Sequence, residues 1–237
     1  MAKILKAHQN NYLEPVINTL QAGGVIIAPT PTNYCIVCDA TNAQAVDRVF
    51  RIKQRTKLGP LPVLFPNIRA INEYVQIPDW FDRTILDSML PGEISFIFWQ
   101  RYPFPEKLTC GLHTVAVNCT THSVLKAIVS SINKPLAASS ANISGQGNIF
   151  VTLEKAIADI GDEVDLIIDA GETPAHQADH IENRVVTIVD LTFEKPFLCR
   201  PGWVPVERVL EFIPNIETDV EEYKVLLTNR AQGCIKV

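Results

Sequence analysis

Apolar positions recur along the chain at two periods. Between Leu13 and Gln21, Val16, Ile17 and Leu20 fall on one helical face, and Gly23-Gly24 ends the run. Val25-Ile26-Ile27-Ala28, closed by Pro29, is a continuous apolar stretch that predicts a buried strand. Ala45, Val46, Val49, Phe50 and Ile52 mark a helix over 43–52 with Asn42 as its N-cap. Further strands are predicted at Pro62–Phe65, Ile94–Trp99, Thr114–Val117, Leu136–Ala138, Leu166–Ile168, Val185–Leu191 and Phe197–Cys199. Helices are predicted at Ile68–Tyr74, Phe81–Met89, Ser123–Ile132, Thr152–Ile160 and Val204–Phe212. Strands alternating with helices imply an α/β or α+β layered fold around one sheet. Residues 1–205 read as one unit and 206–237 as a C-terminal helix and tail, whose place just after Arg200 suits a lid over a ligand cavity and whose acidic stretch Glu217–Glu222 reads as solvated surface.

Composition narrows the class. Of 237 residues, 47% are hydrophobic and 20% charged, enough for a full core without staples. Disorder, collagen-like repeats and a disulfide-held miniprotein are excluded. A net charge of −5 argues against a chain-wide nucleic-acid surface while allowing a local basic cleft. The six cysteines (Cys35, Cys38, Cys110, Cys119, Cys199, Cys234) sit mostly in apolar runs and read as free thiols. Met1 to Lys6 runs into polar residues without a secretory pattern, and no apolar stretch approaches bilayer length. The expectation is a cytoplasmic protein with no membrane partner.

Two spacings with chemical potential read as structural. Cys35-x-x-Cys38 has no second pair to complete a zinc site and lies in a strand pattern. His176-x-x-x-His180, with Asp179 between, falls in what reads as a polar loop. There is no Walker-type loop and no dinucleotide fingerprint. Two other segments point to a ligand. Lys53-Gln54-Arg55-Thr56-Lys57 concentrates three cations after a helix in an acidic chain, and Arg and Lys suit phosphate. Ser139-Ser140-Ala141-Asn142-Ile143-Ser144-Gly145 follows an apolar strand, supplying small polar groups where α/β sheets bind ligands.

With Pro29-Thr30-Pro31-Thr32-Asn33-Tyr34 and Arg200-Pro201-Gly202, these segments stand in the order found in the YrdC-like family of threonylcarbamoyl-AMP synthases, which the chain resembles over roughly residues 10 to 205. The resemblance implies a twisted mixed sheet flanked by helices, with a concave basic cavity. It also implies a nucleotidyltransferase that condenses ATP (with Mg²⁺), bicarbonate and L-threonine, or another amino acid, releasing pyrophosphate without a tightly bound cofactor. A partner among the tRNA-modification proteins then transfers the group to adenosine 37 of tRNA. By position, Lys53 and Arg55 resemble the catalytic pair that neutralises the triphosphate. Thr114, Asn142 and Arg200 resemble further ATP or adenylate contacts, and Thr32 and Ser140 the amino-acid contacts. The chain departs from the family at Pro31, Glu93, Asn118 and Val186, Asn118 standing where the family has an arginine for the threonine carboxylate. Two alternatives follow: a paralogue that binds nucleotide or RNA without synthesis, and a carbamoyl-adenylate enzyme of small-molecule biosynthesis.

Overall fold

The computed structural model describes residues 2–9, 11–55, 59–146, 149–177 and 184–233. The elements run β1 (Lys3–Lys6), α1 (Leu13–Gln21), β2 (Ile26–Pro29), β3 (Tyr34–Asp39), α2 (Ala43–Ile52), β4 (Val63–Leu64), α3 (Ile68–Tyr74), β5 (Val75–Gln76) and α4 (Thr84–Met89). They continue with β6 (Ile94–Gln100), α5 (Glu106–Thr109), β7 (Thr114–Asn118), α6 (Ser123–Ile132), β8 (Leu136–Ser140), α7 (Leu153–Ile160) and β9 (Leu166–Asp169). A 3₁₀ turn (Pro174–Gln177), β10 (Thr187–Asp190), β11 (Phe197–Arg200), α8 (Val206–Phe212) and α9 (Val220–Ala231) complete the described chain. Helix starts are fixed where the sequence offers a cap: the Asn42 side chain accepts from the amides of Gln44 and Ala45, and Thr152 accepts from Lys155.

All strands join one mixed sheet in the order β1-β9-β2-β3-β8-β4-β7-β6-β10-β11, with β5 paired to β6. Side chains alternate across it, so each strand divides its residues between two layers. Tyr34, Ile36 and Cys38 of β3, Phe96 and Phe98 of β6, and Val115 and Val117 of β7 face the larger core under α2, α3, α4 and α7. On the opposite face, α1 and α6 cover Ile26, Ala28, Val37, Leu64, Leu136 and Ala138. That second layer stops short. Past β4 the same face carries Asn118 of β7, Ser95 of β6, Ile188 of β10 and Arg200 of β11, which line a cavity instead.

Five elements lay outside the sequence reading, two of them, α5 and the 3₁₀ turn, only four residues long. β1 is an edge strand whose lysines flank only two apolar residues, a pattern that discourages further pairing. β5 is two residues long. α9 buries only Tyr223 and Arg230, so its sequence carries no apolar stripe; Asp219 caps it by accepting from the amides of Glu221 and Glu222. The tail packs on the same body: Val209, Ile213 and Ile216 belong to the larger core. Tyr223 donates to the buried Asp190 carboxylate at 3.1 Å, and the Arg230 guanidinium lies 3.6 Å from the Phe193 ring centroid. No described residue of α8 or α9 lines the cavity over β6 and β7.

Phe96 is fully buried, with the Phe81 and Phe98 rings 6.1 and 6.4 Å away. Truncating a buried aromatic removes its transfer free energy and leaves a void, so Phe96→Ala is expected to cost about 3–5 kcal/mol in urea unfolding. A loss below about 1 kcal/mol would contradict its core position.

Candidate active site

The cavity encloses about 320 Å³ and is lined by the ends of strands far apart in the sheet. β3 and β11 are six places apart in the strand order, about 29 Å in a flat sheet. Yet Cys35 of β3 and Arg200 of β11 both line this one space. The sheet therefore curls, and the cavity is its concave side.

One rim is the hairpin between β2 and β3. Thr30 Oγ1 donates to the Asn33 carbonyl at 2.7 Å and accepts from the Asn33 amide at 3.0 Å, closing the Thr30–Asn33 turn. Thr30 and Thr32 hydroxyls lie 3.3 Å apart, and both residues line the cavity. Asn33 Oδ1 accepts from the Val151 amide at 2.7 Å, which anchors the turn to the chain before α7.

A second rim forms where α2 ends. Gln54 adopts a left-handed backbone (φ 49°), so the residues on either side of it diverge. Lys53 turns inward and is almost completely buried. Its ammonium donates to the carbonyls of Ser140 and, at 2.7 Å, Asn142, while the Ser144 amide returns a bond to the Lys53 carbonyl at 2.8 Å. Burial, helped by nearby Arg55, pushes the Lys53 ammonium down to about 8. Arg55 instead reaches the cavity. Its guanidinium donates to the Gly59 carbonyl, to Ser139 Oγ at 3.1 Å and to Ser144 Oγ at 3.4 Å, with its carbon 5.7 Å from the Phe50 ring centroid.

The third rim carries Arg200, whose Nε donates to the Val186 carbonyl at 2.9 Å. Gly202 explains the Arg-Pro-Gly run: a Cβ there would sit 2.3 Å from the Val185 carbonyl oxygen. Only glycine lets this return segment lie flat against the start of β10. Burial lowers both Arg55 and Arg200 from the ordinary guanidinium value.

The floor holds groups that the motif reading did not assign as contacts: Ser95, Asn118, Thr120 and Glu93. Glu93 is 9% exposed; its Oε1 accepts from Thr121 Oγ1 at 2.9 Å. Among the described residues no cation pairs with it, and burial pushes its carboxyl up to about 7. Glu93, Asn118 and Val186, three of the departures from the family pattern, all line the cavity. The signal available in the sequence was their place at strand ends.

Of the residues singled out from sequence, the structure brings Thr32, Arg55, Ser140 and Arg200 together in the lining. Lys53 and Asn142 stand just behind the wall, joined to each other. Thr114 does not join them. It begins β7 opposite Trp99, four residues before Asn118 and so about 13 Å away along the strand. Lys57, Asp179, His180 and Cys234 lie outside the described residues. His176 Nδ1 accepts from the Thr173 amide at 2.9 Å, and burial pushes the Cys35 and Cys38 thiols well up, so the cysteine pair shows no activated group. A larger groove of about 660 Å³ lies between β11 and α9, around Trp99, Phe193 and Arg230, and holds none of the expected residues.

A curled mixed sheet whose concave side gathers two guanidiniums, a carboxyl and several hydroxyls defines an α/β protein with a polar concavity. The family model Sua5_yciO_yrdC, described as telomere recombination, matches residues 18–202. The chain belongs to that family. It is 29% identical over 216 residues to a threonylcarbamoyl-AMP synthase of Pyrococcus abyssi, covering 90% of this chain and 61% of the relative. It is also similar to the structure of P. abyssi Sua5 complexed with L-threonine, with a TM-score of 0.82, 25% identity, and coverage of 94% of this chain and 64% of that one. E. coli YciO shares the fold at a TM-score of 0.74 and 19% identity, with coverage of 88% and 99%. The chain thus spans under two thirds of the length of its Pyrococcus relative. Among the described residues no helix is long and apolar enough to cross a membrane.

The unpaired carboxyl gives a stability test. A folded-state value near 7, above the ordinary 4.5, means the folded protein holds this proton more tightly. Stability from the protonated form is present below 4.5 and is lost as pH rises through 7. Glu93→Gln is therefore expected to gain about 2–3 kcal/mol on wild type between pH 4.5 and 8 in urea unfolding. A constant difference across that range would contradict the placement.

Proposed function

We propose that this chain is a threonylcarbamoyl-AMP synthase-type enzyme, a nucleotidyltransferase using MgATP, bicarbonate and an amino compound, with threonine the first candidate. The observation that carries this reading is the convergence of Arg55, Arg200, Thr32 and Ser140 in one cavity from four separate segments. In the first step the bound ammonium loses a proton to solvent and the free amine attacks bicarbonate; an N–C bond forms and water leaves, giving a carbamate. In the second, a carbamate oxygen attacks the α-phosphorus of ATP and the bond to the β-phosphate oxygen breaks, releasing pyrophosphate. No nucleophilic side chain takes part. Catalysis comes from alignment of two anions that repel each other in water, with fixed positive groups at the developing charge.

The roles divide by geometry. Arg55 and Arg200 are held by carbonyls and hydroxyls, with donors left to face phosphate. Lys53 acts as a positioning residue: it fixes the Ser140–Ser144 turn and adds positive potential behind it. Asn142 is part of the same clasp. Thr32 and Ser140 offer hydroxyls to the amino compound. No nucleotide contact is assigned to Thr114. We further propose that the adenylate passes to a tRNA-modifying transferase acting at adenosine 37, in a cytoplasmic setting, with residues 1–205 forming the synthase unit.

The test is pyrophosphate release from ATP and bicarbonate, run with threonine and then with other amino compounds. Wild type is expected to release pyrophosphate only with an amine and bicarbonate present. Arg55→Ala is expected to reduce the rate at least 100-fold, about 3 kcal/mol of charge stabilisation. ATP binding without release with any amine would overturn synthesis and leave a nucleotide-binding paralogue. Unchanged release in Arg55→Ala would remove the phosphate role of Arg55.

A further inference from the structure

The floor of the cavity differs in character from its rims. Both guanidiniums stand on the rims, and no cationic side chain lies on the floor among the described residues. Asn118 Nδ2 is consumed by three acceptors: the Gly92 carbonyl at 3.0 Å, the Ile94 carbonyl, and Ser95 Oγ at 3.4 Å. Its amide hydrogens are thus turned into the sheet, and no described donor reaches its Oδ1. Beside it, Glu93 has one oxygen bonded to Thr121 and no described partner on the other. A nearly buried carboxylate without a cation is costly, by several kcal/mol when nothing compensates it. A group at this point that carried positive charge and N–H donors would satisfy both Glu93 and Asn118 at once.

We propose that Glu93 is the ammonium-recognition group of this cavity, so that the amino compound it takes is selected by its positive charge rather than by a carboxylate. The inference rests on the reading of the cavity as a synthase site and names the substrate class of that site. With the rim guanidiniums engaged by phosphate, the floor has a carboxylate and an amide oxygen for an ammonium, and only the neutral hydroxyls of Ser95 and Thr120 for a carboxylate. An anionic amino-acid carboxylate placed against Glu93 would meet a like charge. Amino compounds lacking that carboxylate, such as amino alcohols, therefore fit the floor as well as threonine does.

Of the other titratable groups around the cavity, the Cys35 thiol and the two guanidiniums keep their charge state in the working range. Cys35 is pushed up to about 11 by burial, and Arg55 and Arg200 remain cationic. His122, next to Thr121 in the chain, is held below the ordinary imidazole value by burial, and Lys53 changes charge only near 8. Between pH 6 and 7.5, the group that ionises on the floor is Glu93.

The experiment is calorimetric titration of the full chain, saturated with a non-hydrolysable ATP analogue so that the rim guanidiniums are engaged, using L-threonine, L-threoninol and N-acetyl-L-threonine against wild type and Glu93→Gln at pH 7.5. Wild type is expected to bind threonine and threoninol within about threefold of each other, and N-acetyl-threonine at least 10-fold more weakly. Glu93→Gln, nearly the same in shape, is expected to weaken the first two at least 10-fold and to leave the third unchanged. A second readout uses wild type alone: threoninol affinity should rise from pH 6 to 7.5 as the carboxylate forms. Equal binding of the ammonium probes to both proteins, strong preference for threonine over threoninol, a flat pH profile, or no binding of any amine would each overturn the proposal. Synthesis is decided separately by pyrophosphate release, so a failure of ammonium recognition and a failure of the synthase reading give different results.

Discussion

One buried ammonium organises the site. Lys53 is placed at the end of α2 with almost no access to solvent, where an uncompensated charge would be costly. It is compensated by backbone carbonyls at the exit of β8, 87 and 89 residues further along the chain. Those carbonyls gain as much from the arrangement, since a buried acceptor without a donor loses about 1–3 kcal/mol. The clasp joins a helix end to a strand end and thereby sets two rims of the cavity relative to each other. Arg55 benefits directly: the left-handed turn at Gln54 sends it outward, and Ser139 and Ser144, both beside the clasp, hold its guanidinium.

The curl of the sheet supplies what the clasp cannot. Strands six places apart contribute to one small space only because the open mixed sheet curls. The α1–α6 layer covers half of that face and leaves the other half to polar residues. Gly202 secures the far rim by letting the segment after Arg200 press against Val185 and Thr187. Positive groups therefore come from the rims and neutral or acidic groups from the floor. This division separates the place proposed for phosphate from the place proposed for an amine.

Much of the fold was readable because its signals are local. Val16 and Leu20, or Val46, Val49 and Phe50, declare buried helix faces by spacing alone, and Asn42 declares a helix start. β1 and α9 were hidden for physical reasons: one is a short half-exposed edge, the other is held by Tyr223 and Arg230 rather than by an apolar stripe. The cavity rims were legible in Arg55, Ser140 and Arg200, because polar and cationic residues beside apolar strands are conspicuous. The floor was not. Ser95, Asn118 and Glu93 come together only through pairing of β6 with β7 and through the turn at Gly92, which no local pattern records. Thr114 shows the converse, since its motif is intact but the strand direction carries it away from the cavity.

The central claim is that ATP occupies the concavity that Lys53 organises, and not the larger groove beside α9. Hydrogen–deuterium exchange of the full-length chain, with and without ATP, tests it most directly. The account predicts slowed exchange at Thr32–Cys35, Ser139–Ser144 and Val185–Ile188 on adding ATP, with little change across α9. Protection concentrated at Phe193–Phe197 and Tyr223–Arg230, leaving the Ser139–Ser144 turn unchanged, would contradict it.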